Sequence, residues 1–304
     1  MFDWYPACEY HFAQAQLVLF TLGMGMTLAP GDFVEIARRP RSFFVGLAIQ
    51  LFVIPWFAVL INEIVHFEPG ISVGLILVAA MPGGALSKFF TYFGRGNMAL
   101  SISLTGVSTL LTLITVPVML QLLAAPYLRA GEFKMPLRQI VFDVAMCLLL
   151  PLIAGLGIGG LLRKQALLLS KICIRTGLIL VLVMIAGSLG SGRIRPGQYG
   201  LGVPLAIICF CLLGQQTMML PFRLCGWPRS DRMAVGIEVT MRNMNLALLL
   251  GTHLFPPPDE NGGGVLFVTL FYAAAAMGAG VPLALNHRRM AKRESAETMV
   301  AHTV

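Results

Sequence analysis

The sequence predicts an all-α polytopic membrane protein, and three observations carry that prediction. Of its 304 residues 57% are hydrophobic and 12% charged, about half the ~25% charged expected of a soluble domain, so too few polar side chains exist to cover a globule. Apolar runs about 20 residues long, enough to cross a ~30 Å hydrocarbon core as a helix, recur from one end of the chain to the other. Two of these runs are interrupted at mid-depth by residues that open helices. A single-pass anchor and a large soluble catalytic domain are both excluded. The formal charge of +8 is no nucleic-acid signal, because most basic residues fall in short connections and in the last residues.

Breaks at charges and Gly/Pro clusters place nine spans near 10–29, 42–62, 71–94, 98–125, 137–162, 167–189, 201–224, 233–254 and 264–286. The opening MFDWYPACEYHF is acidic and aromatic with no basic segment, so it reads as an interfacial lead with Trp4 and Tyr5 at headgroup level rather than a cleavable signal. The sixth span carries Lys171 and Arg175 in its first turns, where long side chains snorkel to the interface. The six cysteines are scattered and imply neither a disulfide framework nor a metal site.

Orientation follows from the basic residues in alternate connections. Arg38, Arg39, Arg41, Arg95, Arg163, Lys164, Arg223, Arg229 and Arg232 share one side with the tail residues Arg288, Arg289, Lys292 and Arg293. The opposite side has only Arg129, Lys134, Arg138, Arg193 and Arg195. Basic loops stay cytoplasmic, so the N-terminus is expected outside and the C-terminus in the cytoplasm.

The third span reads ISVGLILVAAMPGGALSKFFTYFG, with Pro82, Gly83 and Gly84 at mid-depth, a helix breaker followed by two permissive residues. The eighth crowds Glu238, Arg242, Asn243 and Asn245 into an apolar run beside β-branched Val239 and Thr240. Irregular backbone at membrane depth is tolerated only where protein buries it or it lines a wet cavity, and paired interrupted helices mark the binding site of many secondary transporters. A weaker echo, Gln50 before Pro55 and Gln216 before Pro221, precedes each interrupted span. It suggests two inverted halves.

Four basic residues remain inside spans: Lys171, Arg175, Lys88 and Arg242. Lys88 and Arg242 lack an easy exit to the interface, and a central charge costs at least about 2.5–3.5 kcal/mol on insertion scales. Glu238 is their expected compensator, and two cations against one carboxylate leave a net positive charge that favours an anion. Asp143, nearer a span mouth, is expected to pair with Arg138. The five histidines fall near span ends, in a loop or in the tail, and none is expected beside an acidic residue as a metal ligand or relay. No phosphate loop supports ATP hydrolysis, and the serines have no intramembrane histidine base. No catalytic residue, cofactor or enzymatic activity is expected.

The stretches LGMGMTLAPGDF, ARRPRSFFVGLAIQLFVIPW, PGGALSKFFTYFGRGNMALSISLTGVSTLLT and GIEVTMRNMNLALLLGTHLF resemble, in order and spacing, the bile acid:sodium symporter family. That resemblance implies a carrier of organic anions with a core domain holding two crossing broken helices and a panel domain against which it moves. The expected division is 1–41 first panel helix, 42–125 first core half, 126–200 panel helices, 201–286 second core half and 287–304 cytoplasmic tail. Carried over by position, one sodium site falls on Ser87, Lys88, Ser101, Thr105 and Glu238, the other on Gln50, Glu238, Val239, Met241 and Arg242. The family usually has Asn where Lys88 stands and Gln where Arg242 stands. An ammonium or guanidinium has no lone pair for a metal and repels Na⁺ a few ångströms away by several kcal/mol at an effective dielectric near 20. The sites look pre-filled by the protein. The substrate cavity is implied beside Ala85, Leu86, Ser87 and Asn243, with Ala85 in place of a common Thr and Phe271 and Tyr272 where some relatives are polar.

The reading is therefore a sodium-independent carrier of bile-salt-like or small carboxylate or sulfonate anions, working by alternating access in a bacterial inner membrane. Uniport, exchange and proton coupling through Glu238 or Lys88 stay open. The alternative is a non-transporting sensor or scaffold whose site is locked by a Lys88–Glu238–Arg242 ion network. With Ser295→Cys, an impermeant thiol reagent should label the new cysteine only from the cytoplasmic side; labelling from outside in intact cells would reverse the orientation.

Overall fold

The computed structural model describes residues 4–27, 40–128 and 137–301. The end of the first predicted span at 28–29 and the basic residues Arg38, Arg39, Arg129 and Lys134 lie outside the described residues. The described chain is helical, without strands. In order it forms α1 (Tyr5–Gly25), α2 (Pro40–Val65), α3 (Pro69–Ala80), α4 (Ala85–Phe93), α5 (Met98–Tyr127), α6 (137–161), α7 (Arg163–Gly190), α8 (Gly202–Leu224), α9 (Arg229–Thr240), α10 (Met244–Leu254) and α11 (Glu260–Ala301).

Among the described residues, six helices are long and apolar enough to cross a membrane: α2, α5, α6, α7, α8 and α11 up to Ala291. The other three predicted spans differ for physical reasons. Helix α1 has the length, 21 residues, but Glu9, Tyr10, His11 and Gln14 make its first half polar. Helices α3, α4, α9 and α10 are 12 residues or shorter, which at about 1.5 Å per residue is too short to cross alone. The outer surface shows what medium surrounds the protein. Phe52, Trp56, Leu60 and Ile64 form an exposed stripe along α2, and Leu168, Ile172, Ile179 and Leu182 are exposed on α7. Apolar patches of this extent are stable against lipid and not against water, and the protein is an integral membrane protein.

Helix α1 starts at Tyr5, with Pro6 in its first turn, where a missing N–H costs nothing. Tyr5 is fully buried against protein, its ring against Gly187 and its hydroxyl accepting a hydrogen bond from Ser188 at 2.9 Å. Only Trp4 beside it is half exposed. At the other end, α11 runs through the last predicted span, 264–286, and on to Ala301, about 63 Å in all at 1.5 Å per residue. His287 Nδ1 lies 2.6 Å from the Gly94 carbonyl, and the Arg288 guanidinium stacks over Phe93, fastening α11 to the end of α4.

Three widened π turns interrupt otherwise regular helices, at Ile49–Val53, Leu120–Ala124 and Val144–Leu149. Each contains the residue four before a proline: Leu51 before Pro55, Leu122 before Pro126 and Cys147 before Pro151. A proline ring clashes with that carbonyl and offers no N–H to it, and an extra residue in the turn relieves the clash.

Helix α1 packs on α6, α7 and α10, and at one crossing the backbones touch. A Cβ on Gly155 would overlap the Leu22 carbonyl and stand 3.0 Å from Gly25 Cα; one on Gly25 would meet the Leu152 carbonyl and Gly155 in return. Glycines permit this approach, and Gly159, whose added Cβ would stand 2.6 Å from the Met26 carbonyl, extends it, as at other small-residue helix crossings in membranes. Gly155→Leu should therefore lower the melting temperature by on the order of 5 °C or more. Gly157→Leu, with nothing within 4 Å of its added Cβ, should leave it nearly unchanged; equal melting of the two variants would show that the contact is not limiting.

Candidate functional site

Pro82 disfavours helical backbone at the residue before it, and Met81 is extended, with φ −69° and ψ 146°. Helix α3 ends at Ala80 and α4 begins at Ala85, while α9 ends at Thr240 and α10 begins at Met244. The two gaps lie side by side. Gly83 and Arg242 form an antiparallel bridge, the Gly84 N–H donates to the Met241 carbonyl at 2.7 Å, and the Asn243 N–H donates to the Pro82 carbonyl at 2.8 Å. Each interruption thus satisfies backbone groups that the other has freed, as buried peptide groups require. The glycines are steric necessities. A Cβ on Gly83 would overlap Glu238 Oε1, and one on Gly84 would stand 2.6 Å from the Arg242 carbonyl.

Glu238 is completely buried. Ser101 Oγ donates to its Oε2 at 3.0 Å and Thr105 Oγ1 to its Oε1 at 2.5 Å, so α5 supplies both hydroxyls. Ser87 stands beside them, and its hydroxyl donates to the Gly84 carbonyl at 2.8 Å. Lys88 adds a nearby positive charge to the carboxylate, and its ammonium contacts Met24 Sδ of α1 at 3.1 Å. Lys88 is half-buried rather than sealed in. The first predicted set, Ser87, Lys88, Ser101, Thr105 and Glu238, is thus brought together.

The second set is only partly assembled. Arg242 is 4% exposed, and its Nη1 donates to the carbonyls of Ala79 at 2.6 Å and Met81 at 2.8 Å. It forms no ion pair with Glu238, which corrects the expected pairing: the bend after Thr240 removes the helical i+4 geometry that would have placed them together. The guanidinium instead caps the carbonyl end of α3, the negative end of a helix dipole. The Met241 carbonyl is taken by Gly84, and those of Val239 and Thr240 accept from the Tyr272 hydroxyl at 3.5 and 3.2 Å. Gln50, in the first widened turn, is 1% exposed, with neither amide atom hydrogen-bonded. Of the paired glutamines in the echo, Gln216 is exposed; the one that faces the site is Gln215, which donates to Thr240 Oγ1 at 3.0 Å.

A cavity of about 150 Å³ adjoins the bridge, lined by Leu86, Met241, Arg242, Asn243 and Asn245 together with Phe20 of α1. Helices α4 and α10 both begin at it, the second capped by the Asn243 side chain, which accepts from the Leu246 N–H at 3.1 Å. Ala85 stands at the first residue of α4, and Leu86, the next residue, is exposed. Sequence reasoning missed Gln16 of α1, whose Nε2 donates to the Asn245 carbonyl at 2.9 Å. It also missed Asp231, fully buried, whose carboxylate accepts from Ser42 at 2.9 Å and Asn97 at 3.0 Å. A polar residue near the end of an apolar run, Gln16 or Asp231, was the available signal.

One further correction concerns Asp143. Its partners are not Arg138, which is exposed, but Tyr10, whose hydroxyl donates to Oδ1 at 2.9 Å, and His253, whose Nδ1 lies 2.6 Å from Oδ2. A histidine does stand beside an acid, because His253, in the last turn of α10, reaches α6.

Two discontinuous helices that share backbone hydrogen bonds, a buried carboxylate and cations between them, and a lipid-facing exterior define a polytopic membrane transporter. The profile of the Sodium Bile acid symporter family matches residues 15–193, more than half of the chain, and the protein belongs to that family. It is 29% identical over 241 residues to the uncharacterized sodium-dependent transporter YocS of Bacillus subtilis, covering 79% of this chain and 74% of that protein. It is 28% identical to the probable sodium/metabolite cotransporter BASS1 of Arabidopsis thaliana, covering 80% of this chain and 59% of the plant protein. The ileal sodium/bile acid cotransporter of Mus musculus is 26% identical, over 81% of this chain and 70% of its own length.

Gly83→Ala should abolish stable expression or lower the melting temperature steeply, since the added methyl displaces the Glu238 carboxylate. Gly278→Ala, in open space on α11, should be neutral. A fully folded Gly83→Ala protein with unchanged melting would show that the carboxylate lies elsewhere.

Proposed function

We propose that this protein is a secondary carrier of small organic anions, working by alternating access without sodium. The observation that carries the proposal is the Arg242 guanidinium seated on the carbonyl end of α3, where a bound cation would otherwise answer those carbonyls. Of the positions that the resemblance gives to sodium, Glu238 and Met241 have oxygens already in use, the Glu238 oxygens taking two hydroxyls and the Met241 carbonyl taking Gly84, while the Gln50 amide is unpaired. Lys88 offers no lone pair. The relatives' names point to sodium-driven transport of bile acids and metabolites. This chain keeps the architecture and replaces the mobile cations with fixed ones.

The two half-helices that begin at the 150 Å³ cavity turn their positive ends toward it, which suits an anion. That volume is below the roughly 300–1,000 Å³ of drug-sized sites and supports a small carboxylate or sulfonate over a bile salt. In this reading each broken pair makes one crossing, α3 with α4 and α9 with α10, so that with α1 the chain crosses nine times, N-terminus outside. Residues 42–125 and 201–286 form the moving core, and 1–41 and 126–200 the panel.

Reconstituted in proteoliposomes, the protein should take up a labelled small carboxylate equally in sodium and potassium media; no flux with any organic anion would favour a sensor or scaffold. Arg242→Gln together with Lys88→Asn should lower the melting temperature, because the Ala79 and Met81 carbonyls lose their donor, and Na⁺ but not K⁺ should restore it. Sodium stabilisation of the parent as large as that of the double variant would overturn the reading.

A further inference from the structure

Helix α7 is the least buried of the six long apolar helices, and its two faces differ. Toward α1 it presents Ser170, whose hydroxyl donates to the Gly23 carbonyl at 2.7 Å, together with Ile174 against Gly23, Gly177 against Phe20 and Ser188 against Tyr5. At about 100° per residue these four share one face. The same arithmetic places Lys164, Lys171 and Arg175 within about 40° of one another and roughly 100–140° from Ser170. All three cations are exposed, and the residues around them, Leu168, Ile172, Ile179 and Leu182, are exposed and apolar. Among the described residues none of the three has an ion-pair or hydrogen-bonding partner, and α7 contains no acidic residue. The exposed carboxylates among the described side chains, Glu63, Glu68 and Glu260, belong to the other end of the bundle: Glu63 and Glu68 flank the turn from α2 to α3, and Glu68 and Glu260 line a cleft with Ser191 and Arg193, just past the end of α7.

We propose that this face of α7 binds an anionic phospholipid, its phosphate seated between Lys171 and Arg175, one turn apart, while Lys164, two turns nearer the helix start, adds its charge from the water side. Length requires a headgroup here. From Arg175 to the helix end at Gly190 is 15 residues, about 22 Å at 1.5 Å per residue, against ~30 Å of hydrocarbon. With Gly190 at one interface, Arg175 falls roughly 8 Å short of the other, a depth at which an unanswered guanidinium is costly. Snorkelling recovers part of that distance, and a headgroup drawn down against the helix, with local thinning of the layer, supplies the rest. Its phosphate oxygens accept charge-assisted hydrogen bonds from both cations. Charge decides the lipid class. A choline or ethanolamine headgroup brings its own ammonium, and this face has no carboxylate to receive it, whereas a net negative headgroup answers the basic stripe without remainder. The same absence disfavours a second copy of this chain as the occupant, because its exposed carboxylates lie at the opposite end. The surface is on the outside of the α1–α7 pair, and its occupancy does not depend on the carrier reading above.

Native mass spectrometry of the full-length protein released from detergent, titrated with dioleoylphosphatidylglycerol or with dioleoylphosphatidylcholine, counts bound lipids directly. The parent should retain the glycerol lipid in preference to the choline lipid. Lys164→Gln, Lys171→Gln and Arg175→Gln combined should weaken that retention roughly tenfold or more, at about fivefold per cation, and leave the choline lipid unaffected. Arg41→Gln, Arg95→Gln and Arg223→Gln combined remove the same charge from exposed positions on other elements and should keep the preference. Equal retention of the two lipids by the parent would overturn the site, and so would equal loss in both triple variants, which would reduce it to general surface charge. A parent dimer that the α7 variant splits with no change in bound lipid would also overturn it and assign the face to a second copy. Should the α7 triple variant fail to fold, Lys171→Gln alone, expected to lose about fivefold, is compared with Arg41→Gln alone under the same criteria.

Discussion

A peptide group opened inside a hydrocarbon layer has no water to turn to, and the whole site depends on how this chain meets that constraint. Neither interruption is stable by itself. Pro82 and Gly83 free carbonyls and N–H groups that only Met241, Arg242 and Asn243 can answer, and the reverse holds equally. Because the two segments complete each other, Glu238 is brought against Gly83 and under the hydroxyls of α5, and Arg242 is aimed along α3. The charged residues are therefore positioned by backbone pairing, and their own attraction is secondary.

In the carrier proposed above, a fixed guanidinium stands in place of a mobile ion, and this alters the energetics of the site. An ion that binds and leaves contributes stability that varies with its concentration, whereas Arg242 contributes the same stabilisation in every medium. The cost is specificity of another kind: Arg242 has two buried nitrogens, Nε and Nη2, without hydrogen bonds, and Gln50 has both amide atoms in the same condition. Buried polar atoms of this sort are rare in folded proteins.

The interrupted helices were legible in the sequence because Pro-Gly-Gly and a cluster of polar residues violate the rules of an apolar run, and a violation is a local signal. Facing was not legible. In a membrane the lipid side of a helix is as apolar as its packed side, so the 3.6-residue pattern that orients a soluble helix is absent, and nothing in the run distinguished Gln215 from Gln216 or exposed Leu182 from buried Met184. The burial of Tyr5 was illegible for the same reason: an aromatic near a span end suits the interface by type, and Gly187 and Ser188, far along the chain, make the pocket for it. Asp143 and His253 are separated by more than a hundred residues, and their contact depends on the last turn of α10 reaching α6, which no local property of either segment encodes.

The widened turn at Val144–Leu149 settles an angular problem in α6. In a regular helix Asp143 and Gly155, twelve residues apart in sequence, would point in directions about 120° apart at ~100° per residue. One residue absorbed by the π turn reduces that divergence to about 20°. Both residues then address the same neighbour, α1, which Asp143 meets through Tyr10 and Gly155 through Gly25. The relief of a proline clash thus doubles as a rotation of about 100°, and the polar contact at one end of the α1–α6 interface and the close backbone crossing at the other are compatible only because of it.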